Sequence, residues 1–327
     1  MGAAKHIDVV VAGLAVVDCI GRPVDFRRLP KRGGLNLIDS VSLTTGGNVS
    51  NVGIDLAKLG FRVEGITRVG NDPLGRFVTQ LYEENGMGIK GVTIDPKEQT
   101  SSTIVCVAND GERSFLHTRG CMVNFRAKDV LVHMPMLKRA KIVAFGYFGL
   151  LPETEKDFPT LFKEIKKKTS AEIFLDTGGV PKASRAFMRK FLPFVDYFIP
   201  SHEEAAELTG LRKPEEIVKF FVESGAAGVV GVKLGARGSY VYDGDRGRYI
   251  KPRRVRKVVD TTGAGDAYVA GFLAATLSGR DPFEAAEIAG SVAASCVTEV
   301  GASTAIRPYG SYDPRSQKSK IRSQKWA

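Results

Sequence analysis

The chain has 327 residues, 43% of them hydrophobic and 25% charged, which excludes a disordered or low-complexity protein and gives room for one large α/β domain or two medium ones. Its formal charge of +11 favours anionic partners such as phosphates or nucleotides, yet Lys and Arg are scattered and dense only in Arg253-Arg254-Val255-Arg256-Lys257 and after Pro314. The four cysteines share no C-x-x-C spacing, the four histidines are dispersed, and no segment has the length for a signal peptide or spanning helix, so the expectation is a cytoplasmic protein without zinc or disulfides.

In chain order, Ile7–Gly13 reads as a continuous strand buried on both faces. Val52, Leu56 and Leu59 share one helical face, with Gly60 where a C-cap belongs. Phe61–Val69 is the next strand, and Pro73 opens a helix that turns Leu74, Phe77, Val78 and Leu81 inward before Gly86 closes it. Lys141–Phe145 (strand), Phe158–Lys168 (helix), Glu172–Asp176 (strand), Pro181–Leu192 (helix) and Val195–Ile199 (strand) follow. A helix from Pro214 to Gly225 and a strand at Gly228–Leu234 complete the series. This alternation predicts a mostly parallel sheet with helices on both faces. Two regions break it. Residues 14–45 carry Pro23, Pro30, Gly33 and Gly34 before Leu43-Thr44-Thr45. Residues 92–120 hold Thr103–Ala108 and Ser114–Thr118 joined by Asn109-Asp110-Gly111, a hairpin signal. These pieces are expected to form a small β-flap inserted into a single unit.

Two phosphate motifs are absent. There is no G-x-x-x-x-G-K-[ST], and Tyr268 stands where G-x-G-x-x-G needs a third glycine. The chain instead has Asp260-Thr261-Thr262-Gly263-Ala264-Gly265-Asp266-Ala267, after the β-favouring pair Val258-Val259 and before a helical run with Val269, Phe272, Leu273 and Leu277 on one side. The stretch Gly263–Asp266 is therefore expected at a strand-to-helix turn. There, free N–H groups and the helix dipole can hold an anion, and Asp266 can take a proton. Taken alone, the octapeptide is equally a capping Asp in a Gly-rich turn. Gly46-Gly47-Asn48-Val49-Ser50-Asn51 opens the helix that carries Leu56. Its glycines permit close backbone approach and Asn48 and Asn51 suit hydroxyls, although Asn51 alone is also an ordinary helix-start residue.

Together the two motifs, with Val69-Gly70-Asn71-Asp72-Pro73-Leu74-Gly75, resemble the ribokinase-like (PfkB) family of carbohydrate and nucleoside kinases over roughly residues 6–308. The resemblance implies a kinase domain over 1–308 and a basic C-terminal extension over 309–327. Its fold is a central, mostly parallel sheet flanked by helices, with a β-lid from segments about 14–45 and 92–120 that closes over the sugar and supports a homodimer. The reaction implied is ATP-dependent phosphorylation of a sugar hydroxyl, with Asp266 as base and Gly263, Ala264 and Gly265 as the anion hole. Asp18, Gly47, Asn48 and Asn51 would bind the substrate, and Lys233, Gly235 and Gly238 would line the nucleotide. Glu204 would meet Mg²⁺ through water, and Asp260 with the Thr262 carbonyl would hold K⁺ beside the segment Val297–Ala302.

The sequence departs from the family at Ser201-His202-Glu203-Glu204, where Ser201 replaces the Asn of Asn-x-x-Glu. Val16, two residues before Asp18, and Asn48, where Lys is common, argue against ribose in particular. A hexose, a sugar phosphate or a nucleoside remains as the acceptor, and Arg113 and Arg119 on the flap either meet an anionic group or are solvated. A non-catalytic sugar or nucleotide sensor is the rival reading, weakened by the intact Asp266. Nucleic-acid binding through the tail Arg315 to Lys325 is not expected.

Overall fold

The computed structural model describes residues 6–179, 181–313 and 315. The rest of the basic tail, residues 316–327, lies outside the described residues. Strand β1 (Ile7–Ala12) is buried at every position because its sequence supplies apolar groups to both faces. Val10 and Ala12 pack into one helical layer, Val9 and Val11 into the other. The chain continues through β2 (Val16–Arg22), β3 (Ser40–Gly46), β4 (Val63–Gly70), β5 (Gly88–Asp95), β6 (Ser102–Val107), β7 (Arg113–Thr118), β8 (Ala140–Phe148), β9 (Glu172–Thr177), β10 (Tyr197–Phe198), β11 (Val229–Lys233), β12 (Ser239–Tyr242) and β13 (Gly247–Ile250).

Nine strands form one sheet in the order β13-β12-β11-β10-β9-β8-β1-β4-β5. Neighbours from β11 to β5 are parallel, and β12 and β13 add an antiparallel edge. One layer packs the helices Phe158–Lys168 and Pro214–Glu223 through Leu161, Phe162, Ile165, Ile217 and Phe221. The other packs Asn48–Leu59, Pro73–Glu84, Ala264–Leu277 and Pro282–Cys296. Helix Ala264–Leu277 is apolar almost all round, as a helix buried between a sheet and a second helix must be. The strand order reverses between β1 and β8. An open parallel sheet leaves a ligand crevice outside the carboxyl ends of its strands at such a point.

The remaining strands make a second, four-stranded sheet, β3-β2-β6-β7, which is the lid. The two β-rich segments pair as expected, β2 running parallel to β6, with hairpins β2–β3 and β6–β7 on either side. Register sets its two faces. Thr44, Asp18, Thr103 and His117 stand in one row, and Leu43, Cys19, Ile104 and Leu116 form a row on the opposite face.

Several expectations are corrected. No helix spans 181–192. Ser184 caps the four-residue helix Arg185–Met188, and after a turn Pro193 allows only the 3₁₀ turn Leu192–Phe194. The strand over Val195–Ile199 shrinks to Tyr197–Phe198. Val258 and Val259 are exposed and in no strand. The Val259 N–H bonds to the Val297 carbonyl (2.8 Å), so the 260s turn hangs from the loop after helix Pro282–Cys296 rather than from a sheet. At the chain's end, Tyr309 packs edge-on against Phe61 (5.9 Å between ring centres) and Asp313 pairs with Arg280, so residues just past 308 rest on the body.

Helices Ala264–Leu277 and Pro282–Cys296 approach closely at Gly271, where an added Cβ would lie 2.8 Å from Ala289 Cα; at Gly290 it would meet nothing within 4 Å. Gly271→Ala is expected to destabilise by about 2 kcal/mol. Gly290→Ala is expected to stay within about 1 kcal/mol of wild type, on the stabilising side. Denaturant unfolding checks the pair, and equal stabilities would contradict this packing.

Candidate active site

Asp266 lies in the first turn of helix Ala264–Leu277, whose N-cap Gly263 has φ 75°. A Cβ at Gly263 would stand 2.4 Å from Ala302 Cβ, so both conformation and space require glycine there. The Ala264 N–H bonds back to the Thr261 carbonyl (3.2 Å) and that of Ala267 to Gly263 (2.8 Å). Among the described residues the Gly265 and Asp266 amides have no backbone carbonyl partner, the ordinary condition of a helix start. Of the three expected anion-hole residues, Ala264 thus has its N–H in use.

Three parts of the chain meet at the Asp266 carboxylate. Asn51 Nδ2, from the first turn of helix Asn48–Leu59, donates to Oδ2 at 2.8 Å, and the Tyr147 hydroxyl, from β8, donates to the same oxygen at 3.0 Å. Among the described residues Oδ1 takes no donor and, unlike the two oxygens of Asp55, it is not sealed from solvent. Burial pushes the Asp266 pKa up; the Asn51 bond, the Lys233 charge and the Tyr147 bond hold it back in part. Tyr147 is absent from the sequence-derived set. It has φ 61°, the one positive value at a non-glycine among the described residues, and its ring lies where a Cβ at Gly178 would be. An aromatic at the end of an apolar strand reads as core, so only geometry shows it.

Lys233, at the end of β11, donates to Asp176 Oδ2 at 2.5 Å and lies near Gly265, whose added Cβ would be 3.7 Å from Nζ. Asp176, at the end of β9, is also missing from the expected set, although a carboxylate closing the apolar run Ile173-Phe174-Leu175 was a visible signal. Burial lifts its pKa to about 6 against the opposing pull of Lys233. Next to it, Glu204 accepts from Thr177 Oγ1 (2.5 Å), Ser201 Oγ (2.7 Å) and the Gly179 N–H (2.7 Å). Ser201 caps helix His202–Thr209, so the residue that replaces Asn orients the Glu204 carboxylate. Gly238 has φ 92°, and a Cβ there would overlap the Ile250 carbonyl; Gly235 has φ 58° with open space around it.

Gly47 is fixed by backbone contact, since at φ 85° its Cβ would stand 2.3 Å from the Leu14 carbonyl oxygen. Asn48 is buried, with Oδ1 accepting from the Leu14 N–H and Nδ2 donating to the Ala12 carbonyl, both at 2.9 Å. It is a tie between β1 and the helix start rather than a free hydroxyl reader. Asp18, on the lid, is half-buried. Burial raises its pKa, while Thr103 and His117 lower it. Asp55, one helical turn past Asn51, is fully buried and neither carboxyl oxygen has a hydrogen bond of normal geometry. Burial drives it strongly toward the neutral form, the nearby Ser303 hydroxyl opposes this only in part, and the Asp266 charge adds to it.

Asp260 is a hub. Its Oδ1 accepts from the Thr262 N–H (2.9 Å), the Thr262 hydroxyl (2.6 Å) and Arg113 (2.8 Å), and its Oδ2 from the Gly301 N–H (3.1 Å). Arg113 also donates to Thr262 Oγ1 at 2.6 Å. These donors hold the carboxyl well below the usual range against its burial.

Residues 6–308 match the model of the pfkB family carbohydrate kinases. The chain is 28% identical to the 2-dehydro-3-deoxygluconokinase of Bacillus subtilis over 76% of its length and 78% of that protein's. It is 27% identical to a ribokinase of Haemophilus influenzae over 80% and 83% of the two chains. The structure of Arabidopsis thaliana ribokinase complexed with ribose and ATP superposes with a TM-score of 0.81 at 25% identity, covering 94% of this chain and 98% of that one. This chain belongs to the pfkB family of carbohydrate kinases, and is an ATP-dependent phosphotransferase on a ribokinase-like fold. Among the described residues no helix is long and apolar enough to cross a membrane.

Donors to a carboxylate favour its charged form, so losing one raises the pKa. In carbon-13 NMR titrations, Asp266 is expected to titrate above the ordinary value of 3.8, and higher still in Asn51→Ala. A midpoint at or below 3.8, or a downward shift in Asn51→Ala, would contradict the geometry.

Proposed function

We propose that the protein transfers the γ-phosphoryl group of ATP directly to a hydroxyl of a sugar or sugar-like molecule held between the lid and the carboxyl ends of β1 and β8. One observation carries this reading: the Asp266 carboxylate has one oxygen locked by Asn51 and Tyr147 and the other free at the start of a helix. Asp266 Oδ1 takes the hydroxyl proton as that oxygen attacks the γ-phosphorus. The bond from the γ-phosphorus to the bridging oxygen breaks, and ADP leaves with that electron pair. The amides of Gly263 and Gly265, with the positive end of the helix, stabilise the charge on the transferring group.

The lid row Thr44, Asp18, Thr103 and His117 offers donors and acceptors to the hydroxyls of the acceptor. Closure of the lid limits wasteful transfer to water. Lys233, together with the turn Gly235–Gly238, supports a reading in which nucleotide phosphates lie beside Gly265. The carboxylates of Asp176 and Glu204, side by side there, suit a hydrated Mg²⁺. Glu204 Oε1 has one donor only, which leaves capacity for a metal-bound water. When bound, the ion would neutralise phosphate charge. Four free thiols accord with a reducing, cytoplasmic location.

The lid's other face carries the exposed row Leu43, Ile104 and Leu116, with Val41 and Leu37 beyond it. An apolar face of this kind supports a homodimer through the lid. Sedimentation at micromolar concentration is expected to show a dimer, and monomers alone would remove that part of the reading.

The test of the reaction is Asp266→Asn, assayed by ADP release over a panel of sugars, sugar phosphates and nucleosides. Turnover is expected to fall by roughly 10²–10⁴-fold with ATP affinity nearly unchanged. A variant with wild-type turnover would show that another group is the base. Binding without turnover across the panel in the wild-type protein would favour a sensor.

A further inference from the structure

The resemblance led to a monovalent cation at Asp260 and the Thr262 carbonyl, but the residues around that turn do not fit one. Both Asp260 oxygens are occupied by donors, and one of these, Arg113, already brings a full positive charge within 2.8 Å of Oδ1. On the inner side, Cys296 Sγ lies 3.4 Å from the Thr262 carbonyl oxygen and 3.0 Å from that of Ala302, so both carbonyls have a thiol in front of them. A cation would have to displace the guanidinium from the carboxylate and the sulfur from the carbonyls.

Arg113 is not part of the body that carries the turn. It is the first residue of β7, the outermost strand of the lid, where it pairs with Val107 just past the tip of the hairpin. Its two terminal nitrogens divide between Asp260 Oδ1 (2.8 Å) and Thr262 Oγ1 (2.6 Å), a forked contact that a single ammonium cannot reproduce. Through Asp260 the same charge reaches the amides of Thr262 and Gly301, which brace the turn from either side.

We propose that Arg113 replaces the monovalent cation, so that the charge neutralising Asp260 and bracing the Gly263–Gly265 turn is carried by the lid. Arg113 touches no reacting atom and acts through Asp260 and Thr262, as a positioning residue. With the lid closed the turn is braced, and the anion site is then ordered when the acceptor is enclosed. With the lid open the Asp260 charge is uncompensated and the turn relaxes, which holds back transfer to water. This couples acceptor binding to assembly of the catalytic turn, an induced-fit arrangement. The inference rests on the reading of that turn as the phosphoryl site, but its first test does not.

That test is anomalous diffraction from crystals of the full chain soaked in rubidium chloride. No rubidium peak is expected at Asp260 and the Thr262 carbonyl, and a peak coordinated by both overturns the proposal whatever the enzyme's substrate. The second is kinetic, with ATP and an acceptor from the panel. Wild-type kcat is expected to agree within about twofold between potassium chloride and choline chloride at equal ionic strength. Arg113→Gln should lose about tenfold or more in kcat, with Kd for ATP unchanged by calorimetry, because the turn and not the nucleotide contacts has lost its brace. Arg113→Lys should recover part of that loss, since it restores the charge but not the fork. Strong stimulation of the wild type by potassium, or wild-type kcat in Arg113→Gln, would overturn the assignment.

Discussion

The site depends on keeping one carboxylate buried, oriented and still charged. Burial drives Asp266 toward the neutral acid, which could accept no proton, and Asn51 and Tyr147 oppose this by donating to the same oxygen. These donors come from parts of the chain far apart in sequence, so the geometry exists only once the helix after β3, the end of β8 and helix Ala264–Leu277 have packed. Several tight contacts serve that convergence. Gly47 lets the helix of Asn51 start against the Leu14 carbonyl, Asn48 ties that start to β1, and Gly178 makes room for the Tyr147 ring. The unusual backbone of Tyr147 fits this account, since a residue held at positive φ is maintained by its surroundings.

Charge is arranged around this centre in a graded way. Lys233 bonds Asp176 and reaches toward Gly265, Glu204 is fixed by three donors, and Asp260 is saturated from the lid and from the loop at Gly301. A buried carboxyl left without donors has little to set against its burial. Asp55 has none of normal geometry and is pushed toward its neutral form, which spares the fold an uncompensated charge beside Asp266. The lid belongs to the same electrostatic system because Arg113 is its contact with the turn.

Much of the fold was legible because parallel strands buried on both faces read as continuous apolar runs, as Ile7–Ala12 does, and because caps such as Gly60 and helix starts such as Pro73 and Pro214 carry local chemistry. The pairing of the two β-rich segments was legible from the hairpin signal and their misfit to the sheet. The misread stretches have physical reasons. Helical periodicity over 181–192 did not weigh Pro193, and Val258-Val259 has strand propensity, but the Val259 N–H bonds to the Val297 carbonyl in a loop rather than to a strand. In the site, side-chain types at glycine-rich turns were visible, but partners were not. Asn48 reads in the sequence as an amide suited to hydroxyls, and its bonds to Leu14 and Ala12 come from the fold. Arg113 reads equally as a solvated or an anion-binding residue, because its partner Asp260 is 147 positions away and only the lid brings the two together. Tyr147 left no trace in sequence, because its role depends on a φ value and on one hydroxyl.

The central claim is that Asp266 presents its free oxygen to the acceptor while the adjacent glycine amides face the transferring group. A crystal structure with ADP, magnesium, an aluminium fluoride mimic of the phosphoryl group and a bound acceptor tests this most directly. The account predicts the acceptor hydroxyl within about 3 Å of Asp266 Oδ1, and the mimic against the N–H groups of Gly263 and Gly265. A mimic seated elsewhere, or an acceptor oxygen facing a different base while Asp266 points away, would contradict it.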